Sequence, residues 1–196
     1  LATTGGTFTG DVTFADGADI ITASAGTDNV RLGEDAGASI ASGGNNNTLI
    51  GKNAGTAITT GDDNVAIGAL ALDANTTADN NTAVGYQSGT SNTTGAENTA
   101  TGSMSLKVNT TGSSNSAFGR YALLNNTTAS NNTAVGRSSL QENTTGSSNV
   151  AVGYQAGYLN TTGANNVAVG QDALKANTTA DNNTAVGYKS LTANTT

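Results

Sequence analysis

The chain has 196 residues, 7 Lys and Arg against 14 Asp and Glu, a formal net charge of −7, and only 4% aromatic residues. So few large apolar side chains cannot build a thick two-layer core, and the acidic balance argues against binding nucleic acid through phosphates or docking on an anionic membrane. His and Cys are absent, which removes the ordinary neutral-pH base, thiol chemistry, disulfides and Cys-based zinc sites. Composition alone would also fit a disordered polar tract, a reading that the periodicity below overturns.

In chain order, residues 1–28 come first. The stretch Thr4-Gly5-Gly6-Thr7-Phe8-Thr9-Gly10-Asp11-Val12-Thr13-Phe14 sets Phe8, Val12 and Phe14 among polar residues. That alternation predicts a short β stem of interleaved strands. No charged-then-apolar leader opens the sequence, no run approaches the ~18 apolar residues of a membrane span, and the last unit stops mid-repeat. The sequence therefore reads as a segment of a longer chain.

From Asn29 onward the chain is a repeat. Glycine stands at positions 51, 68, 85, 102, 119, 136, 153, 170 and 187, every 17 residues. Asparagine precedes each by four, from Asn47 to Asn183, and Asn-Thr-Thr recurs in phase from Asn75 to Asn194. An irregular unit, Asn29 to Gly33, precedes the register with one extra residue. Residues 29–196 thus divide into about ten units, the first irregular and the last incomplete.

Within a unit such as Asn81 to Gly85, β-branched Thr82 and Val84 flank a small Ala83, the period-2 signature of a short strand. Two variable residues follow the glycine, then a small residue and usually Leu, as in Ala71-Leu72 and Ala173-Leu174. Asn-Thr-Thr-Gly/Ala reads as a turn with a β-compatible pair, and the abundance of Gly, Asn and Thr argues against helix. The expected fold is all-β: a parallel β-solenoid, or β-roll, of 17-residue coils with two strands and two turns each. Stacking at ~4.8 Å then aligns identical residues in columns. The Asn column should form an amide ladder, the Gly column a bend or tight backbone approach. The uniformly small Ala column, broken only at Leu49, implies another backbone packing closely, inside the roll or in a neighbouring subunit. With so little apolar surface per coil, a parallel homotrimer is expected, with Ala117 and Ala134 on its contact face.

The unit Asn-Thr-Ala-Val-Gly-Tyr-Gln-Ser, followed by Asn-Thr-Thr-Gly-x-x-Asn, resembles the head repeats of trimeric autotransporter adhesins and related repeats of phage tail fibres. The opening segment, residues 4–14, is similar to a short β motif of phage tail fibres. The resemblance implies left-handed parallel β-rolls bundled in threes, and a structural or adhesive fibre segment on a virion tail or otherwise outside the cell. A bacterial trimeric adhesin head is the alternative. The family's usual unit is shorter than 17 residues, so its coil dimensions do not transfer.

Candidate sites are few, and no enzyme is expected. Paired carboxylates carry glycoside hydrolysis in some fibres, so the acids need weighing. Asp62 and Asp79 share a column on successive coils, with Asp63 beside them and Glu97 one coil further. These oxygens read as a solvated edge; calcium is the one cofactor they would suit, and a hydrolytic pair lacks the groove it needs. The Asn-Thr-Thr triplets are formal glycosylation sequons, but their strict phase assigns them to the turn. Stacked Thr also suggests an ice-binding solenoid, a reading disfavoured because Val65, Val150 and Val167 interrupt the column of Thr82, Thr99 and Thr133 as if filling a core. The residue after the repeat glycine is the varied one: Lys52, Ala69, Tyr86, Ser103, Arg120, Arg137, Tyr154, Gln171, Tyr188. Tyr and Arg favour recognition, so Tyr86, Arg120, Arg137, Tyr154 and Tyr188 are the candidate contacts to a host glycan or protein. Arg137 and Tyr154, on adjacent coils, suit a cation–π pair.

Overall fold

The structure, a computed structural model, describes residues 26–195. The predicted stem over residues 1–28 therefore lies outside the described residues except for its last three. The described part is all-β, a parallel β-solenoid with one three-residue strand per coil. The strands are β1 (Val30–Leu32), β2 (Thr48–Ile50), β3 (Val65–Ile67), β4 (Thr82–Val84) and β5 (Thr99–Thr101). They continue as β6 (Ser116–Phe118), β7 (Thr133–Val135), β8 (Val150–Val152), β9 (Val167–Val169) and β10 (Thr184–Val186). All pair in parallel in chain order as one sheet of ten strands. From β2 onward each residue pairs with its equivalent 17 positions on, as Ala83 with Ala100. β1 meets β2 at an offset of 18, Val30 with Thr48, which is where the extra residue of the first unit goes.

Two strands per coil were expected, and one is found. The Asn-Thr-Thr side does stack coil on coil, but not as a strand. The Thr127 carbonyl accepts the Thr110 N–H at 2.8 Å, the Thr111 N–H at 3.4 Å and the Thr110 Oγ1 at 3.1 Å. Two successive donors converge on one acceptor there, so the chain turns rather than extends.

The interior is narrow, and the small residues go into it. Ala66, Ala83, Ala117, Ala134 and Ala151 are fully buried within the single chain. They meet the buried leucines of the turn, Leu72, Leu106, Leu123, Leu140 and Leu174. The expected trimer face through Ala117 and Ala134 is thereby corrected: these methyls are core, shut off from any neighbour. The residues that flank them in each strand are at least partly exposed, which also corrects the reading of Val65, Val150 and Val167 as core filling. Volume is traded between columns. In the coil of Gly55 no Leu enters from the turn, and Leu49 and Ile58 fill the space; a Cβ on Gly55 would lie 2.8 Å from Leu49 Cδ2 and 2.7 Å from Ile58 Cδ1.

The repeat glycines fulfil both roles expected of them. Gly102 has φ +131°, and a Cβ there would stand 2.7 Å from the carbonyl carbon of Gly119, one coil on. The left-handed region recurs at further positions of every coil, and not only at glycine. In the coil of β5 it holds Met104, Leu106 and Ser114, with φ of 59°, 49° and 56°. An L-residue there costs roughly 1–2 kcal/mol, which at Leu106 is offset by burying the side chain.

Two asparagine columns carry the polar interior. In the first, each Oδ1 accepts the backbone N–H of the next asparagine, as Asn64 Oδ1 from Asn81 N at 3.0 Å and Asn81 Oδ1 from Asn98 N at 2.9 Å. In the second, that of Asn-Thr-Thr, the side chains bond one another: Asn126 Nδ2 donates to Asn109 Oδ1 at 2.8 Å and to its own turn carbonyl, Ala129 O, at 2.9 Å. The amide ladder expected in the first column is therefore most regular in the second. Both columns meet on the same acceptor, since Asn115 Nδ2 also donates to Ala129 O at 2.9 Å.

Candidate functional site

The column after the repeat glycine is carried outward by the tight turn that the glycine makes. Tyr86, Arg120, Arg137, Tyr154 and Tyr188 are all exposed. Arg137 and Tyr154 do form the predicted pair, the guanidinium carbon 5.8 Å from the ring centroid. Arg120 does not join them. Its guanidinium lies 4.3 Å from the centroid of Tyr121 and donates to that phenol's oxygen. Tyr121 belongs to the next column, which sequence reasoning left out; an aromatic directly after an exposed Arg was the available signal. Tyr188 sits beside Lys189, whose Nζ is 5.1 Å from its ring. The Tyr188 hydroxyl holds the Lys189 ammonium above the usual lysine range. Tyr86 stands two coils below Arg120. The site is thus a stripe with a cationic and aromatic centre over residues 120–154.

The acidic column has a backbone duty. Asp62 Oδ1 accepts the N–H of Asn45 at 2.6 Å, and Asp79 Oδ1 accepts the N–H of Asp62 at 2.8 Å. Ser113, Ser130 and Ser147 make the same bond higher up, each hydroxyl oxygen taking the N–H of the residue one coil earlier. Carboxylate and hydroxyl are interchangeable here because either satisfies a lone donor. Glu97 accepts from the Ser114 hydroxyl at 3.1 Å, and Asp63 is exposed. Among the described residues no three acids converge as a metal site, so Asp62, Asp63, Asp79 and Glu97 are not gathered into one.

A carboxylate outside these candidates is the more confined. Asp172 is buried, with Lys175 Nζ 3.0 Å from its Oδ1. That ammonium is the main reason its carboxyl sits below the usual range. Lys175 also donates to Gln155 Oε1 at 2.7 Å, tying two coils together.

A cavity of about 10 Å³ lies among Leu140, Ala151, Gly157, Ala168 and Leu174, far below what an organic molecule needs. The Asn-Thr-Thr asparagines from Asn75 to Asn177 are buried with their amides engaged, as Asn109 with Asn92 Oδ1 and Gly112 O, so the folded chain does not offer these seven for glycosylation. Among the described residues, no helix is long and apolar enough to cross a membrane. These features define a β-solenoid that carries varied side chains along its exposed columns. Compared with family models, curated proteins and solved structures, the chain matches none.

Proposed function

We propose that this chain is a structural and adhesive fibre segment, a stretch of a phage tail fibre that spaces or presents host-binding surfaces and assembles as a homotrimer. It acts outside the cell, on the virion, with no catalytic role, no cofactor, no nucleic-acid partner and no membrane insertion. The observation that carries this reading is the division of labour within each coil. Interior columns are nearly invariant along the stack, while the exposed column after the glycine changes at almost every step and gathers Arg120, Arg137 and Tyr154. A scaffold that fixes its inside and varies its outer columns, this one among them, is suited to display. The tail-fibre assignment rests on the resemblance of the repeat and of residues 4–14 described above.

Tyr and Arg stack on sugars and protein surfaces without a deep pocket, and three parallel stripes would sum weak contacts through multivalency. Changing Arg120, Arg137 and Tyr154 together to Ser should leave the thermal midpoint within about 2 °C, since exposed side chains contribute little. Attachment to host cells or to a glycan array should fall at least tenfold. Unchanged attachment would make this stripe a solvated face and the segment a plain spacer.

A further inference from the structure

We propose that the corner following the repeat glycines binds an acidic polysaccharide, a sugar chain bearing carboxylate or sulfate groups, laid along the rod over Lys107, Arg120, Arg137 and Tyr154. This names the ligand class for the adhesive stripe of the preceding section and rests on that reading.

The charges of the chain are sorted twice. Around the coil, six of its seven basic residues, all but Arg31, stand one, two or five places after a repeat glycine. Those places share one corner: Lys175, at the fifth, reaches Gln155 and Asp172, both at the second. The corner ahead of the strand carries Asp62, Asp63, Asp79, Glu97 and Asp181 and no basic residue. Along the axis, residues 26–97 hold eight acidic and two basic side chains, and residues 98–196 three acidic and five basic. A polyanion is therefore repelled by the first coils and by the acidic corner, and drawn to one corner of the later coils.

Within that corner the ends are neutralised and the middle is not. Among the described residues, Lys52 pairs with Glu34 at 2.8 Å and Lys175 with Asp172 at 3.0 Å, while Lys107, Arg120 and Arg137, on three successive coils, form no ion pair. The acid nearest to them in sequence, Glu142, already accepts from the amides of Asn125 at 2.7 Å and Gln141 at 2.9 Å. Arg120 and Arg137 are exposed and Lys107 partly so.

Both guanidiniums are held in place. Arg120 lies 4.3 Å from the ring centroid of Tyr121, and Arg137 5.8 Å from that of Tyr154. Stacking fixes the guanidinium plane and leaves N–H groups at its edge, so a carboxylate or sulfate can be gripped with little side-chain entropy to lose. From Lys107 to Tyr154 is three coil steps, about 14 Å. A patch this long and narrow suits an extended polymer, and the exposed Tyr154 offers a ring against which a sugar can rest. Three cations are few for the dense phosphates of nucleic acid; they suit a chain that carries its charges more sparsely.

Dextran, carboxymethyl-dextran and dextran sulfate share a backbone and differ in charge, so surfaces of each test the proposal with the full chain. At about 150 mM salt, one or both charged forms should bind at least roughly tenfold more tightly than dextran, the stronger naming the anion. Lys107→Gln, Arg120→Gln and Arg137→Gln together should abolish that preference. Arg137→Lys alone should weaken binding several-fold, because an ammonium keeps the charge and loses the fork. Lys52→Gln, at the acidic end, should change it less than about twofold. An equal loss with Lys52→Gln, or equal retention of a DNA duplex, would reduce the effect to bulk charge and overturn the site. Equal binding of all three dextrans overturns the acidic ligand and leaves the adhesive reading standing. So does binding to none of them while host-cell attachment still responds to the Arg120, Arg137 and Tyr154 substitutions. Binding to none, with attachment unresponsive as well, overturns both.

Discussion

Two kinds of glycine share a left-handed backbone and differ in what surrounds them. At Gly102 the space a Cβ would need is occupied by the backbone of Gly119, which is itself locked in the ladder. At Gly157, φ +59°, the nearest obstacle is Leu140 Cδ2 at 2.9 Å, the tip of a flexible side chain, next to the small cavity. Leu106, Leu123 and Leu140 already stack in that column on three successive coils with φ near 49°. Gly157→Leu should therefore fold with stability within ~1 kcal/mol of the parent, burial of the side chain offsetting the backbone cost. Gly102→Ala should cost at least ~2–3 kcal/mol, because the clash is with main chain. Urea denaturation of the two variants checks this, and equal effects would sink the distinction.

At the scale of one coil, the Asn-Thr-Thr turn is held from both sides by side-chain amides. Removing Asn126 leaves Ala129 O with one donor fewer and strips the Asn109 and Asn143 amides of a partner. Asn126→Ala should cost about 2–4 kcal/mol, more than an exposed Asn would, since each buried group left unpaired carries its desolvation penalty. The matching control is Thr128→Ala, an exposed position of the same turn, which should cost under ~1 kcal/mol, with both measured by thermal or denaturant unfolding. How much of the coil could be read from sequence turns on symmetry. The 17-residue phase assigns every column, because stacking makes equivalence in sequence equivalence in space. What phase cannot say is which side of a strand faces in. In Thr82-Ala83-Val84 the alternation fits either choice, and a flip moves every side chain to the other face. The narrow interior decides it, admitting Ala and turning the branched residues out. The second expected strand failed for a local reason: the Asn-Thr-Thr backbone converges on one carbonyl per coil. The left-handed leucines gave no warning, since Leu has no preference for that region. The candidate stripe was legible in position, and Arg137 met Tyr154, but which aromatic Arg120 chose was set by side-chain reach.

At the scale of the molecule, each coil bonds only its two neighbours, so stability is close to a sum of coil and interface terms. Deleting Asn98 through Ser114 removes one whole unit and brings Asn81 beneath Asn115 with every column intact. The rod should stay folded and shorten by ~4.8 Å, a change small-angle scattering can follow as a matching loss of maximum dimension. Deleting eight residues from the same unit should shift every later column and abolish soluble assembly. Like behaviour of the two deletions would break the link between phase and fold.

The constant offset of 17 between paired residues also bears on how such a chain is made. In most sheets, lengthening the protein brings strands together from ever farther apart in sequence, and closing those loops slows folding. Here the last coil forms with the same local search as the second. A nascent chain can add each turn to the stack as soon as the ribosome releases it, so synthesis and folding advance together and length carries no kinetic penalty.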